Sequence, residues 1–318
     1  MNKSGKKEKS YVIKVPVISS ELILKGNDLF GGISFSDMLN YAKAKISNYK
    51  LLESKISKNS RNKVQTKEIA NVDYIDCQIG TRPCMLLQIS AYNTNLYDGY
   101  VETDQKINLK QNHKLGSDNY YALLVPNIIG LDSNNYKHQW IILIYEDPHK
   151  DNQEIVGTTK LVLNKILEIS TFNIKLPEVL EELKRINTLP ELSLNFSCIY
   201  NDENEVDVRF RNYLVGSKVR KLKEDKFKNV PFKTTEELIN DKSFQASYQK
   251  RLLKISFGKK EFRITQEQKD EANDTLTEAV EQIFNESIAI TETELHERLF
   301  QHDFIIEKLT PILQNYLT

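Results

Sequence analysis

Residues 140–145, WIILIY, contain no charged or amide side chain. A run this short matches one buried strand and falls well below the roughly 18 apolar residues a membrane helix requires. It is predicted to lie inside a sheet covered on both faces. Residues 120–126, YYALLVP, form a second run of the same kind. Two such strands demand neighbours, and the pattern supplies them at 72–79 and 84–92, separated by Gly- or Asn-containing segments. Tyr11, Ile13, Val15 and Val17 alternate along YVIKVPVI and predict a first strand, with Pro16 placing it at an edge or end.

Helical spacing enters between the strands. Phe35, Leu39, Ala42, Ile46 and Tyr49 step by four, three, four and three, and Ser34 with Asp37 supplies a capping box. Residues 59–67 read as a polar loop. The stretch 93–119 is long for a loop, and a short hairpin is expected within it. Residues 159–169 read as a helix, and Pro177 as the first residue of another, with Val179, Leu180, Leu183 and Ile186 on one face.

Two hairpins are expected next. Leu192, Leu194, Phe196 and Cys198 alternate, NDEN turns, and Val206, Val208 and Phe210 alternate back. Leu253, Ile255 and Phe257 then precede a Gly258-Lys259 turn, with Phe262 and Ile264 returning. From Thr265 the spacing predicts helix: Ala272, Leu276, Ala279, Val280, Ile283 and Phe284 form one stripe. Thr291 with Glu294 caps a short helix, and Thr310-Pro311 reads as the start of a last one. The fold class is therefore α+β. A mixed or antiparallel sheet carries flanking helices, two hairpins and a helical C-terminal segment. The domain reading is a mobile basic tail (1–10), an α+β sheet-containing domain (11–215), and a basic hairpin segment followed by an acidic helical segment (216–318), together packed on the sheet-containing domain.

The 44 basic and 44 acidic residues cancel only in total. Residues 1–67 hold 14 basic and 5 acidic, 68–208 hold 11 and 21, 209–263 hold 16 and 6, and 264–318 hold 3 and 12. The densest basic run, GSKVRKLKEDKFKNVPFK at 216–233, contains Lys218, Arg220, Lys221, Lys223, Lys226, Lys228 and Lys233. Either these blocks neutralise one another within the fold or across copies, or the 209–263 block faces a polyanion. Under the second reading the contacts are Arg209, Arg211, Lys218, Arg220, Lys221, Lys223, Lys254, Lys259, Lys260 and Arg263.

Motifs for chemistry are sparse. The eleven glycines form neither GxGxxG nor GxxxxGK[ST], and no GxSxG occurs. Glu146 and Asp147 follow a buried strand, as the carboxylates of magnesium-dependent nucleases do, but Asp-Pro is also ordinary turn chemistry. Cys77, Cys84 and His138 lack regular metal-ligand spacing, so the cysteines are expected to be buried free thiols. No metal or cofactor is expected. Three cysteines suit a reducing compartment, and a cytoplasmic location is expected without membrane insertion.

These features lead to a non-catalytic nucleic-acid-binding or assembly subunit, with nucleic acid and a protein partner or second copy as candidate partners. The alternatives are a metal-dependent nuclease or hydrolase using Glu146 and Asp147, and a protein-interaction subunit of an oligomer. Lys, Asn and Ile enrichment suggests an AT-rich genome, which makes a bacterial antiviral-defence or mobile-element context part of the expectation.

Overall fold

The computed structural model describes residues 9–25, 34–49, 52–58, 64–93, 98–100, 106–108, 115–130, 135–148, 152–169, 181, 183–184, 191–199, 212–219, 222–239, 252–266 and 278–317. The chain divides into two compact units, residues 1–171 with 286–318 and residues 172–285. These divisions differ from the 215/216 boundary drawn from charge. The fold is α+β and mostly antiparallel.

The first unit contains β1 (Ser10–Lys25), α1 (Phe35–Asn48), β2 (Leu52–Lys58), β3 (Val64–Ile79), β4 (Arg82–Asn93), β5 (Asp98–Tyr100), β6 (Lys106–Asn108), β7 (Leu115–Gly130), β8 (Asn135–Tyr145) and α2 (Asn152–Lys165). In its sheet the neighbours run β1-β8-β7-β4-β3-β2. β8 lies between β1 and β7, so WIILIY is buried on both faces, as expected for a run without polar side chains. The expected short hairpin within 93–119 is β5 paired with β6.

Helix α1 begins with the expected capping box. Asp37 N–H donates to Ser34 Oγ at 3.1 Å, and Ser34 N–H donates to Asp37 Oδ2 at 3.0 Å. The helix buries Met38, Leu39, Ala42 and Ile46 and packs on β3, β4 and β7.

The second unit contains β9 (Glu191–Ile199), β10 (Leu214–Val219), β11 (Leu222–Pro231), α3 (Phe232–Ile239), β12 (Leu252–Phe257) and β13 (Lys260–Gln266). A last strand, β14 (Glu278–Thr291), spans the division at 285/286. Strand order in this unit is β10-β11-β9-β12-β13-β14. The hairpin read at 251–265 is β12–β13, with Ile255 and Phe262 buried and Gly258 at φ +55° in its turn. The return strand expected at 206–210 and the helix expected from Pro177 lie largely outside the described residues.

Five sequence expectations need correction. Residues 278–291 are strand rather than helix. The stripe of Val280, Ile283 and Phe284 has helical spacing, but pairing with β13 wins over local preference. Burial along this strand falls on Glu281 and Ile283, then on Ile290, so the buried face changes parity near residue 285. Pro16 does not lie on an edge strand, because β1 sits between β14 and β8. The regular β1–β8 pairing begins one residue later, at Val17, which accommodates the missing N–H. Thr310 does not cap a helix. It lies inside α5 (His302–Gln314), where its hydroxyl donates to the Ile306 carbonyl at 2.7 Å, and Pro311 follows within the same helix. Residues 64–67, read as loop, begin β3, and β2 was not anticipated. The helix expected at 159–169 starts earlier, at Asn152.

The capping box at Thr291 and Glu294 is present and opens α4 (Glu292–Glu297). Tyr145 donates its hydroxyl to the Leu299 carbonyl at 3.1 Å, tying β8 to the turn between α4 and α5.

Candidate nucleic-acid interface

The basic run 216–233 is built into an edge hairpin of the second unit. Among the described residues β10 is the terminal strand of that sheet and β11 its neighbour. Arg220 and Lys221 lie outside the described residues. Lys218 and Lys223 occupy ladder positions opposite Glu224 and Val219. An edge strand leaves one row of backbone groups without a ladder partner, and lysines on such edges discourage further strand addition. That role accounts for part of the charge without any ligand.

A bulge shapes the far end of β11. Phe227 pairs with Leu194 and Val230 with Leu192, so Lys228 and Asn229 together oppose a single residue of β9. Asn229 adopts φ +55°, a left-handed conformation that asparagine tolerates better than most residues. The extra residue keeps Phe227 and Val230 both buried and leaves Lys226, Lys228 and Asn229 exposed. α3 starts immediately afterwards, burying Phe232 and Thr235 and exposing Lys233. The sequence signal for this device was the Lys-Asn pair ahead of Val-Pro, which breaks the strand alternation.

Lys226, Lys228 and Lys233 form no ion pair among the described residues. Two other cations in this unit are compensated. Lys184 pairs with Glu236 at 2.5 Å, and Arg263 pairs with Glu261 at 2.5 Å. Arg263 also occupies the ladder position beside Glu281, which is fully buried.

The β12–β13 hairpin separates the remaining candidates. Lys254 lies directly opposite Arg263. Lys259 is exposed in the turn. Lys260 falls on the same alternation as Phe262, not on that of Arg263, and its ammonium stands 5.4 Å from the Phe284 ring centre. The hairpin therefore does not present Lys254, Lys260 and Arg263 on one face. Arg209 and Arg211 lie outside the described residues.

In the first unit, Glu146 and Asp147 follow β8 directly and are both buried rather than displayed on a surface turn. The Glu146 N–H donates to the Lys14 carbonyl at 3.3 Å, which continues the β1–β8 alignment past the end of the strand. Among the described residues no group of three or more His, Cys, Asp or Glu side chains is placed to hold a metal ion. Cys77 and Cys84 face each other across β3 and β4, and His138 lies on β8. No helix among the described residues is long and apolar enough to cross a membrane.

No protein-family model, curated protein or solved structure matches the chain.

Proposed function

We propose that the chain is a non-catalytic subunit that binds nucleic acid through phosphate contacts. The exposed Lys226, Lys228 and Lys233 around the β11 bulge make those contacts, joined by Lys218, Arg220, Lys221 and Lys223 of the same run. The observation that carries this reading is that these three exposed ammonium groups have no ion-pair partner among the described residues, while Arg263 and Lys184 do. Unpaired surface cations cost little in water and gain most by releasing counterions from a polyanion.

Lysines act as point charges and do not reproduce the bidentate geometry that reads a base edge. The binding is therefore of the backbone-positioning kind, tolerant of sequence. A cytoplasmic setting in antiviral defence or a mobile element belongs to the same proposal and rests on composition alone.

The test is a titration of fluorescent single-stranded DNA, double-stranded DNA and RNA with the full chain at two salt concentrations. The reading expects binding that weakens steeply with salt and varies little among sequences of equal length. Absence of binding at low salt, with a concentration-dependent change in oligomeric state, would favour an assembly role for the same charges.

A further inference from the structure

Cys77 and Cys84 are both free thiols, and they occupy directly opposed positions in an antiparallel ladder. Opposed residues in such a ladder have Cα atoms about 4.5–5.5 Å apart, within the roughly 4.4–6.8 Å span of a disulfide. Their side chains leave the sheet on the same face. The hairpin closes two residues later through Gly80 at φ +62°, which holds the register.

The pair is reachable. Cys77 is half-buried, Cys84 is buried, and both line a cavity of about 160 Å³ beneath α1. That volume is well above the ~10–15 Å³ that one water needs on the same measure. Ser36, Leu39, Asn40 and Lys43 of α1 form one wall, and Asp76 and Pro83 join the cysteines on the other. Lys43 is fixed there by an ion pair to Asp76 at 2.7 Å.

The two thiols are also electronically different. The Cys84 thiol, as a hydrogen-bond donor to the neighbouring sulfur, holds Cys77 below the ordinary thiol range, against the opposing effect of burial. Cys84 is pushed far above that range by the same partnership and by burial. Cys84 Sγ also lies 3.4 Å from the Arg82 carbonyl, a second acceptor for its proton. A thiol held toward its thiolate form beside one that keeps its proton is the arrangement a two-step oxidation uses.

We propose that Cys77 and Cys84 form a reversible redox pair that reacts with small hydroperoxides entering the cavity beneath α1. The Cys77 thiolate attacks the distal peroxide oxygen. The O–O bond breaks, an S–O bond forms, and the leaving alkoxide or hydroxide takes a proton to give an alcohol or water. Cys77 is then a sulfenic acid, oxidised by two electrons, and the peroxide has been reduced by two. The Cys84 sulfur next attacks Cys77 Sγ. The S–OH bond breaks, the Cys84 proton and the hydroxide leave together as water, and a disulfide joins β3 to β4. A dithiol reductant reverses the change by thiol–disulfide exchange, ending as a disulfide itself.

The experiment treats the full chain with stoichiometric hydrogen peroxide, maps the peptides by mass spectrometry, and then adds dithiothreitol. A disulfide-linked Cys77–Cys84 peptide, lighter by two hydrogens and restored by the reductant, is the expected result. Cys84→Ser should accumulate a dimedone-reactive sulfenic acid at Cys77, and Cys77→Ser should leave Cys84 unmodified. The mapping of the unaltered chain decides the matter even if a variant misfolds. Cys77 and Cys84 remaining reduced while Cys198 oxidises, or Cys77 passing to sulfinic acid without the crosslink, would overturn the proposal.

Discussion

Lys254 stands directly opposite Arg263 across the β12–β13 ladder. Like charges in this position repel, and Arg263 is flanked by acids: Glu261 at 2.5 Å from its Nε, and Glu281 directly opposite it on β14. The Arg263 guanidinium in this hairpin is thus compensated within the second unit, in contrast to the lysines around the β11 bulge.

Glu261→Gln should cost about 1–2 kcal/mol, because a partly buried guanidinium loses its charged acceptor. Lys254→Ala in the same chain should recover part of that loss by removing the repulsion. Urea unfolding of the single and double variants measures the coupling. Equal losses from Glu261→Gln with and without Lys254 would show that the two cations do not interact.

Phe304 is fully buried in α5, and the Arg298 guanidinium and Lys308 ammonium stand 4.8 Å and 5.1 Å from its ring centre. Phe304→Ala should cost about 3–5 kcal/mol through lost burial and a residual cavity. Phe304→Leu should cost distinctly less, since it retains most of the volume. Urea midpoints that shift by less than about 1 kcal/mol for the alanine variant would contradict this packing.

Lys308, 2.8 Å from Glu294, and then the Thr291 N–H hold the Glu294 carboxyl below its usual range. A folded-state value below the unfolded one adds stability that is present above the unfolded carboxylate range and is lost as the pH falls through the folded value. Between about pH 5 and about pH 3 the native chain should therefore lose more stability than Glu294→Gln does. Thermal melts across that range compare the two slopes, and parallel slopes would remove Glu294 from the acid response.

Much of the first unit was legible because its central strands β7 and β8 are covered on both faces. WIILIY and YYALLVP allow few alternatives once polar side chains are absent, and the capping boxes at Ser34 and Thr291 are local chemistry. The misreadings arise where long-range pairing decides. Residues 278–291 carry both a helical stripe and β-branched residues, and pairing with neighbouring strands, β13 among them, selects strand. Thr310-Pro311 resembles a helix start, yet α5 already runs through it. At the candidate interface, the concentration of charge was readable, but the partners of individual cations were not. The turning of Lys260 toward Phe284 depends on which residue stands across the ladder, and Arg263 takes its acid, Glu261, from two positions back on its own strand. The Asn229 bulge exposes Lys228 by adding a residue, which simple alternation cannot register.

Glu146→Gln with Asp147→Asn tests whether chemistry accompanies binding. The unaltered chain should show no magnesium-dependent cleavage of DNA or RNA, and the double variant should bind nucleic acid with unchanged affinity. Burial of both carboxylates places the expected effect on stability instead. Cleavage by the native chain that disappears in a folded double variant would establish a nuclease.

The central claim concerns the exposed lysines of the β11 bulge, and the slope of log affinity against log salt tests it most directly. For the full chain with Lys226, Lys228 and Lys233 replaced by alanine, each lost phosphate contact should reduce that slope by about 0.7–0.9, to nearly the same extent on every sequence tried. An unchanged affinity and slope, together with a lower melting temperature or a dissociated oligomer, would contradict the account and show that these charges serve the protein's own assembly.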